Sequence, residues 1–494
     1  MAGKIVVAAD LGASGGKMAK GCFDGNTLQV DHFYEFANQP MELNGNLYWD
    51  LFRLYNSILD GMSYYAEDNK VEAIGIDAWG ASYGFLDKKG RLLEQVYHYR
   101  DLRTEHSLER MYRILPKRKL FELTGCQPNR TYTLPQLYSY PEHDDRIINL
   151  AHKMLFLPDL LGYFLSGEIS TERSIAGTSS LLRPEQDQWA YEVFNTLGIQ
   201  TGMLTNLVDG GTQRGTVLNG VGNSTGVGKA KVIATVGHDT AAAVAGIPDF
   251  GVNQVYISVG TNINMGIELT SSITSEMAYE GGFKNAGVLE DRKMLYRDFS
   301  AFWLLNELIR TWREEGKNYD YSVIMDMVMR CKTKGVYIDV EEASFNNPGE
   351  NMKQKINDYL LKTGQEALRT DAEFARCILE SIALKVKYCT EYLKKRLNIP
   401  LDKVSVINGG TRNHVLMQMI SDALDLPIYC GLPYATLVGN VLIQLYALGE
   451  FQSVDEIREV SGRSFTMNEY LPQSGERARW DAGLQDMMDK GIYK

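Results

Sequence analysis

The strongest constraint on the fold of this chain is a recurring pair: a short apolar segment followed by a turn of small residues. The apolar segments span residues 5–9, 231–236, 255–259 and 404–407, and a glycine-containing turn follows each of them. Apolar runs of this length, bounded by glycine, are typical of buried strands. Segments with helical apolar spacing lie between them, as in residues 50–65. This alternation of strands and helices predicts an α/β fold.

The second half of the chain repeats the strand-and-turn pattern of the first half. Residues 255–259 end in a small-residue turn, as residues 5–9 do. A long helix is predicted to begin near Thr370, because Thr370 and Glu373 have the spacing of a capping box and apolar residues follow at every fourth position. A length of 494 residues also exceeds that of one typical domain. We therefore predict two domains, residues 1–248 and 249–494, with an internal duplication.

Charge and cysteine content exclude several classes of protein. The chain has 51 Lys and Arg against 62 Asp and Glu, a net charge of −11, which is the opposite of the basic surface expected of a nucleic-acid-binding protein. The six cysteines include no CxxC pair, so neither a zinc site nor a disulfide framework is indicated. The sequence has no run of 18 apolar residues and no secretory signal pattern. We expect a cytoplasmic protein without nucleic-acid or membrane partners.

The glycine-rich turns favour phosphate binding, because backbone N–H groups without neighbouring side chains can approach phosphate oxygens closely. The turn at residues 12–17 is one residue short of the P-loop spacing, and Met18 stands where Ser or Thr would bind magnesium. No strand is followed by the GxGxxG spacing. A P-loop NTPase and a Rossmann dehydrogenase are therefore both disfavoured. Taken singly, each turn is equally explained as an ordinary tight turn.

Two aspartates stand at positions where α/β proteins gather ligands. Asp10 ends the first strand, and its carboxylate could orient hydrated magnesium at the ligand-binding edge of an open sheet. Asp239 precedes an alanine-rich segment, and a carboxylate at a helix N-terminus suits a general base. Each residue also has an ordinary explanation, Asp10 as a strand-end turn residue and Asp239 as a helix N-cap. The local pattern leaves both alternatives open.

Seven motifs occur together in one order and spacing. They are Asp10-Leu11-Gly12-Ala13-Ser14-Gly15-Gly16-Lys17, Ile76-Asp77-Ala78-Trp79-Gly80, Tyr99-Arg100-Asp101, Gly237-His238-Asp239-Thr240-Ala241, Gly260-Thr261, Gly409-Gly410-Thr411-Arg412-Asn413 and Ala435-Thr436-Leu437-Val438-Gly439-Asn440. In this order they resemble the FGGY carbohydrate kinases, over roughly residues 5 to 465. The resemblance implies two actin-like domains, each built on a ribonuclease-H-like core, with ATP and sugar in the cleft between them. It further implies that the N-terminal domain binds the sugar and the C-terminal domain binds the nucleotide.

The resemblance also implies roles for single residues. Asp239 is the implied catalytic base, and Asp10 is implied to face the magnesium ion that accompanies ATP. The residues implied to contact the sugar are Gly80, His238, Asp239, Thr240 and Asp298. The residues implied to bind ATP are Ala13, Ser14, Gly15, Gly16, Lys17, Thr261, Asn306 and Gly409. ATP and Mg²⁺ are therefore the expected cofactors, and a small sugar is the expected partner.

Three positions depart from the family pattern. Asn262 follows Gly-Thr where an aromatic residue or serine is usual, Asp298 stands where an amide is expected, and Tyr434 replaces a frequent glutamate. The branch of the family that acts on rhamnulose resembles this chain most, so a rhamnulose-like ketose is the expected substrate and a homodimer the expected assembly. The departures leave two alternatives open. One is a kinase for another ketose or polyol, such as fuculose, xylulose or ribulose, and the other is a sugar-sensing regulator that has lost turnover.

Overall fold

The computed structural model describes residues 3–67, 69–143 and 145–493. Its strands, in chain order, are β1 (Lys4–Leu11), β2 (Gly15–Phe23), β3 (Leu28–Ala37), β4 (Pro40–Leu43), β5 (Asn46–Trp49), β6 (Ala73–Ala78), β7 (Tyr83–Leu86), β8 (Lys153–Phe156), β9 (Thr171–Glu172), β10 (Leu182–Arg183), β11 (Gln188–Trp189), β12 (Leu207–Val208), β13 (Thr212–Thr216), β14 (Lys231–Ala234), β15 (Val255–Val259), β16 (Asn262–Leu269), β17 (Lys284–Gly287), β18 (Lys293–Ser300), β19 (Val404–Ile407), β20 (Ile428–Cys430) and β21 (Asn468–Tyr470).

The α-helices, in chain order, are α1 (Leu51–Ala66), α2 (Ser107–Ile114), α3 (Lys117–Thr124), α4 (Thr133–His143), α5 (Asp145–Leu150), α6 (Leu157–Ser166), α7 (Arg173–Gly177), α8 (Tyr191–Leu197), α9 (Asn219–Thr225), α10 (Asp239–Ala245), α11 (Glu276–Glu280), α12 (Phe302–Glu314), α13 (Tyr321–Arg330), α14 (Met352–Lys362), α15 (Asp371–Leu397), α16 (His414–Leu424), α17 (Ala435–Ala447), α18 (Val454–Ser464) and α19 (Arg477–Asp489). Short 3₁₀ helices span Leu102–Thr104, Ala343–Asn346 and Gly409–Arg412.

The chain divides into two compact units that each collect several segments. Unit 1 contains Met1–Phe250, Glu268–Tyr296 and Tyr434–Phe465. Unit 2 contains Gly251–Ile267, Arg297–Pro433 and Thr466–Lys494. The domain boundary near residue 248 stays a prediction.

A six-stranded sheet organises unit 1, with the strand order β13-β14-β6-β1-β2-β3. β1 runs antiparallel to β2 and parallel to β6. The turn after β1 is therefore the tip of a β-hairpin, whereas a P-loop joins a strand to a helix. β6 is buried along its whole length, which fits an inner strand with parallel neighbours on both sides. This pairing sets the C-terminal ends of β1 and β6 side by side.

Helices pack on both faces of this sheet. α1 begins at the cap residue Asp50, whose side chain accepts the N–H of Arg53, and its buried residues join the cluster formed by Val7 and Ala9 of β1. Because side chains alternate along a strand, Asp10 lies on the opposite face. α17 covers that opposite face, where Gly75 of β6 leaves room for it. The site described below lies at the end of this face.

Close contact between α10 and α17 depends on glycine. A Cβ on Gly439 of α17 would lie 1.8 Å from the carbonyl oxygen of Ala242 in α10, a distance no side chain can occupy. Both helices belong to unit 1. The start of α10, which contains Asp239, is therefore held against a helix that also contacts β1 and β6.

Unit 2 repeats the same strand pairing. β15 runs antiparallel to β16 and parallel to β19, and the order continues through β20 to β21. The long helix α15 begins with the predicted capping box, in which Thr370 and Glu373 exchange hydrogen bonds with each other's backbone N–H groups. The apolar segments predicted as strands are confirmed as β1, β14, β15 and β19. Among the described residues, no helix combines the length and apolar character needed to cross a membrane.

Candidate active site

The turn between β1 and β2 is a tight hairpin with an exposed tip. The N–H of Gly12 donates to the carbonyl oxygen of Gly15 (2.9 Å), and the N–H of Gly15 donates back to Gly12 (3.3 Å). The side chain of Asn38 also donates to the carbonyl oxygen of Gly12 (3.0 Å). Ala13 and Ser14 are exposed at the tip. The backbone at the tip is thus held in one conformation with its N–H groups near solvent.

A cavity of about 400 Å³ adjoins this hairpin in unit 1, lined by Ser14, Gly15, Gly16, Lys17, Glu35, Phe36 and Ala37. A Cβ on Gly16 would lie 2.2 Å from Cζ of Phe36, so this wall requires glycine. The ammonium group of Lys17 is 3.0 Å from the carboxylate of Glu35. A side-chain-free hairpin with an adjacent lysine is suited to hold phosphate oxygens. The residues present therefore fit a nucleotide phosphate.

Asp10 and Asp77 lie directly opposite each other on the parallel strands β1 and β6. Their carboxyl groups are within hydrogen-bonding range. Burial, followed by the charge of Asp10, raises the pKa of Asp77 well above its usual range. The pKa of Asp10 is raised to about 7, first by burial and then by the charge of Asp239, while Asp77 and Lys17 act to lower it. Two carboxylates cannot accept from each other, so this contact requires a proton between them.

Two amides of α17 support the carboxyl pair. Nδ2 of Asn440 donates to Oδ2 of Asp77 (2.5 Å). Nε2 of Gln444 donates to Oδ1 of Asn440 (2.8 Å) and to the carbonyl oxygen of Val7 (2.9 Å). All of these side chains except that of Asp10 are fully buried. The chain of amides fixes which atom of Asn440 faces Asp77, and so keeps a donor on that carboxyl group.

Asp239 is the first residue of α10, and the cap position is occupied by His238. The alternative that Asp239 is the N-cap is therefore wrong. Its carboxylate accepts from the hydroxyl of Thr240 (3.1 Å) and lies 3.5 Å from Nε2 of His238. The side chain is 31% exposed, which leaves it accessible to a small molecule. Its charge also acts on Asp10, so the two carboxylates belong to one site.

The segment after β6 is strained and closely packed. Ala81 has a φ of 76°, a conformation that residues with a Cβ rarely adopt. A Cβ on Gly80 would lie 2.6 Å from Oγ1 of Thr178, so only glycine fits there. The indole N–H of Trp79 donates to Oγ of Ser82 (2.9 Å). Strained backbone of this kind is concentrated at binding sites.

In unit 2, the residues expected to bind nucleotide gather at the C-terminal ends of β15 and β19. Thr261 lies in the turn after β15, and its carbonyl oxygen accepts the N–H of Trp303 (2.9 Å) at the start of α12, the helix that contains Asn306. A Cβ on Gly410 would lie 2.2 Å from Cγ1 of Val259, which places the turn after β19 against the end of β15. Gly409 is exposed in that turn. Thr261, Asn306 and Gly409 are thus neighbours within unit 2.

Asp298 lies on β18 in unit 2, whereas the other residues expected to contact sugar lie in unit 1. Its Oδ1 accepts from Nδ2 of Asn264 (2.6 Å). Oδ1 of Asn264 in turn accepts from the hydroxyl of Tyr256 (2.9 Å). The hydroxyl therefore fixes the orientation of the Asn264 amide, which presents its donor to Asp298.

Within the described ranges, no group of three or more His, Cys, Asp or Glu side chains is arranged to hold a metal ion. A magnesium ion bound to nucleotide phosphates needs only one or two protein carboxylates, since it keeps several waters. Asp10 is half-buried at a strand end and fits such a role. A cation beside it would favour its ionised form.

Sequence models of a known family match most of the chain. The N-terminal domain of the FGGY family of carbohydrate kinases matches residues 5–246, and the C-terminal domain of the same family matches residues 255–448. The chain belongs to the FGGY family of carbohydrate kinases. It is accordingly a sugar kinase, a phosphotransferase, which confirms the enzyme class expected from the motifs.

The relatives in sequence are more specific than those in structure. The chain is 33% identical over 476 residues to the rhamnulokinase of Bacteroides thetaiotaomicron (96% of this chain, 97% of the relative), and 27% identical to that of Bacillus subtilis (99% and 100%). Its fold matches the ligand-bound xylulose kinase from Lactobacillus acidophilus with a TM-score of 0.83 at 15% identity, over 98% and 97% of the two chains. It also matches Plasmodium falciparum glycerol kinase with ADP, with a TM-score of 0.81 at 14% identity, over 99% of each chain. These matches confirm the α/β fold of two actin-like domains.

Sequence analysis did not assign a role to several residues of this site. Asp77, Asn440 and Gln444 surround Asp10, Glu172 contacts the loop before Asp239, and Asn264 contacts Asp298. A signal existed for Asp77, because a charged residue within a wholly apolar strand needs a specific partner. The other contacts join residues distant in the chain, and no local pattern indicates them.

Proposed function

We propose that this sugar kinase transfers the γ-phosphoryl group of Mg-ATP to a hydroxyl of a ketose, with rhamnulose as the first candidate. The observation that carries the proposal is the placement of Asp239, which is exposed at the start of α10 beside the Asp10–Asp77 pair. The match to rhamnulokinases over nearly the whole chain supports the choice of sugar. When bound, Mg-ATP supplies the phosphoryl group and spreads its charge.

Asp239 acts as the general base in this proposal. A carboxylate within hydrogen-bonding reach of the attacking hydroxyl accepts its proton as the oxygen bonds to phosphorus. The N-terminal end of α10 favours the negative charge of the aspartate. His238 and Thr240, which flank Asp239 and contact its carboxylate, orient it and the sugar.

The hairpin of residues 12–15 binds phosphate oxygens through its backbone N–H groups, and Lys17 adds a positive charge. Asp10 faces the magnesium ion, with its position held by Asp77. Thr261, Asn306 and Gly409, which are neighbours in unit 2, contact the nucleotide. Gly80 contacts the sugar through its backbone, since Thr178 leaves no room for a side chain.

The identity of the sugar depends on Asp298. A carboxylate offers only acceptors, whereas an amide also donates, so a buried sugar hydroxyl pattern suited to one is penalised by the other. The contact with Asn264 keeps Asp298 in one orientation. Fuculose, xylulose and ribulose are therefore tested beside rhamnulose.

The test is ADP release with Mg-ATP across a panel of ketoses, aldoses and polyols. One ketose should give a strong signal, and Asp239→Asn should lower kcat by about 10²–10⁴-fold, the usual contribution of a general base. Asp455→Asn is the matched control, because Asp455 is also an aspartate in the first turn of a unit 1 helix but is 66% exposed. It should retain wild-type kcat. Full turnover by the Asp239 variant, or no signal with any ketose, would overturn the proposal.

A further inference from the structure

The carboxylate of Glu172 is buried in unit 1 and accepts four hydrogen bonds. Glu172 is 2% exposed at the start of α7. It accepts the backbone N–H groups of Ser174 (2.8 Å), Ile175 (3.1 Å) and Gly237 (2.9 Å), together with the hydroxyl of Ser174. The bonds to Ser174 and Ile175 cap α7. The bond to Gly237 joins a residue 65 positions further along the chain, and capping does not explain it.

Gly237 and His238 form the loop that leads into Asp239. The N–H of His238 donates to Oγ of Ser174 (3.1 Å), so the pair Glu172–Ser174 holds two consecutive backbone N–H groups of this loop. On its other side, the carbonyl oxygen of Gly237 accepts the N–H of Ala78 (3.0 Å), the residue after Asp77. The loop is therefore fixed between Glu172 and the end of β6.

The contact leaves no slack. A Cβ on Gly237 would lie 3.2 Å from Oε2 of Glu172. The start of α10 follows directly, so a shift of the loop moves the carboxylate of Asp239 relative to Asp10. Displacement of a reacting group by about 1 Å typically lowers the rate about 10²-fold.

We propose that Glu172 is a positioning residue for phosphoryl transfer: its carboxylate, with the hydroxyl of Ser174, holds the Gly237–His238 backbone so that Asp239 faces the sugar hydroxyl. This rests on the proposed role of Asp239 as base and adds the group that places it. Glu172 touches neither substrate nor nucleotide in this role.

Four converging donors require a carboxylate. An amide of the same size offers a single oxygen, and its NH₂ group would face an N–H donor. The nearest charged neighbour, Asp159, accepts the N–H of Glu172 (3.3 Å) and is itself paired with Arg214. Burial raises the pKa of Glu172 to about 7, against the hydrogen bonds from Ser174 and Gly237, which lower it. Glu172→Gln therefore disturbs the loop with little change in volume.

The first measurement compares Glu172→Gln with wild type in steady-state kinetics, using Mg-ATP and the best ketose of the panel. We expect kcat to fall about 10²-fold, with KM for both substrates within about threefold, because the loop places the base and does not bind ground-state substrate. Asp422→Asn is the matched control in unit 2. Asp422 is 5% exposed and likewise accepts a backbone N–H from a distant residue, Gln473 (2.8 Å). It should keep wild-type kcat.

The second measurement asks whether Glu172 acts through Asp239. In the Asp239→Asn background, Glu172→Gln should lower the residual kcat by less than about twofold, since the group it places is already absent. Ser174→Ala, which removes only the bond to His238 and one donor to Glu172, should give a smaller fall of about tenfold and remain informative if Glu172→Gln does not fold.

The outcomes separate this inference from the proposed function. If Asp239→Asn is inactive while folded Glu172→Gln and Ser174→Ala both keep wild-type kcat, the positioning role is wrong and the base is not. Equal fractional losses in both backgrounds would also overturn it, because Glu172 would then act independently of Asp239. Full activity of Asp239→Asn overturns the proposed base itself.

Discussion

Asp10 and Asp77 occupy facing positions on two adjacent parallel strands, and their carboxyl groups share a proton. Neighbouring carboxylates in a buried place cannot both ionise at low cost. The protein retains this arrangement because Asn440 supplies a donor to Asp77 from α17. The pair joins the sheet, the helix and the phosphate hairpin at one point of unit 1, so its protonation state is a sensitive property of the site.

Asp77→Asn is expected to change how stability depends on pH. Both carboxyl groups have pKa values raised in the folded state, to about 7 for Asp10. Such groups stabilise the fold below their unfolded pKa near 4, and this contribution is lost as the pH rises through the folded pKa. The variant removes one of the two charges. Its melting temperature should therefore gain on that of wild type as the pH is raised from about 5 to about 8.5.

Differential scanning fluorimetry at several pH values measures this difference. Asp24→Asn is the control, because backbone N–H groups of Thr27 and Asn26 lower the pKa of Asp24 at the surface. Its effect on melting temperature should be constant above about pH 5. A constant difference for Asp77→Asn over the same range would show that the pair does not share a proton.

Gly16→Ala is expected to weaken nucleotide binding. The added Cβ would meet the ring of Phe36 at 2.2 Å, and Phe36 lines the cavity beside the hairpin. Displacement of the ring into this cavity should raise KM for ATP about tenfold and leave KM for the sugar nearly unchanged. Gly202→Ala is the control, since a Cβ there meets no atom within 4 Å. The double variant Gly16→Ala, Phe36→Leu should recover part of the ATP affinity. No recovery would mean that the ring is not the cause.

Local sequence patterns predicted the elements of this protein better than its site. The strands β1, β14, β15 and β19 and the cap of α15 follow from apolar runs and from neighbouring residues, so they were visible in the sequence. The contact between Asp10 and Asp77 depends on parallel pairing of strands more than 60 residues apart. Because register is decided by the whole sheet, no window of sequence contains that information.

The roles of single aspartates show the same limit. Local spacing favoured Asp239 as an N-cap, yet the backbone begins the helix one residue earlier than that reading requires, with His238 as the cap. The family resemblance identified Asp239 as a candidate base, but it did not indicate Glu172. That residue reaches Gly237 only through the packing of α7 against the loop after β14.

His98 is expected to make the protein less stable in acid. Burial, followed by the charge of Arg100, lowers the pKa of His98 to about 4. Its ring lies against Trp49, with the ring centres 4.1 Å apart, and Nδ1 accepts the N–H of Arg100 (3.1 Å). The unfolded chain binds a proton at this residue at a higher pH than the folded one does. Its contribution to stability is therefore lost as the pH falls from about 6.5 to about 4.

Chemical denaturation of wild type and His98→Asn across this pH range tests the expectation. The free energy of unfolding of the variant should fall less steeply with acidification. His32→Asn is the control, because His32 is exposed and asparagine tolerates its φ of 54°. Equal slopes for wild type and His98→Asn would contradict the buried, neutral state of His98.

Asp298→Asn is expected to alter the choice of sugar and not the use of ATP. Asn264 presents its donor to Asp298 because its own oxygen is occupied by the hydroxyl of Tyr256. An asparagine at 298 can turn its oxygen towards Asn264 and keep this contact, so the substitution removes the charge and adds a donor with little structural change. A buried site that gains a donor and loses an acceptor should change relative kcat/KM among ketoses by about 10-fold or more.

The measurement is kcat/KM for rhamnulose, fuculose, xylulose and ribulose in wild type and Asp298→Asn, with KM for ATP determined in parallel. Tyr256→Phe extends it, because loss of the hydroxyl frees the Asn264 amide to turn and present its oxygen to Asp298. Two facing oxygens repel, so this variant should disturb the same sugar preference while residue 298 itself is unchanged. Identical sugar profiles in both variants, with unchanged KM for ATP, would remove Asp298 from the sugar site.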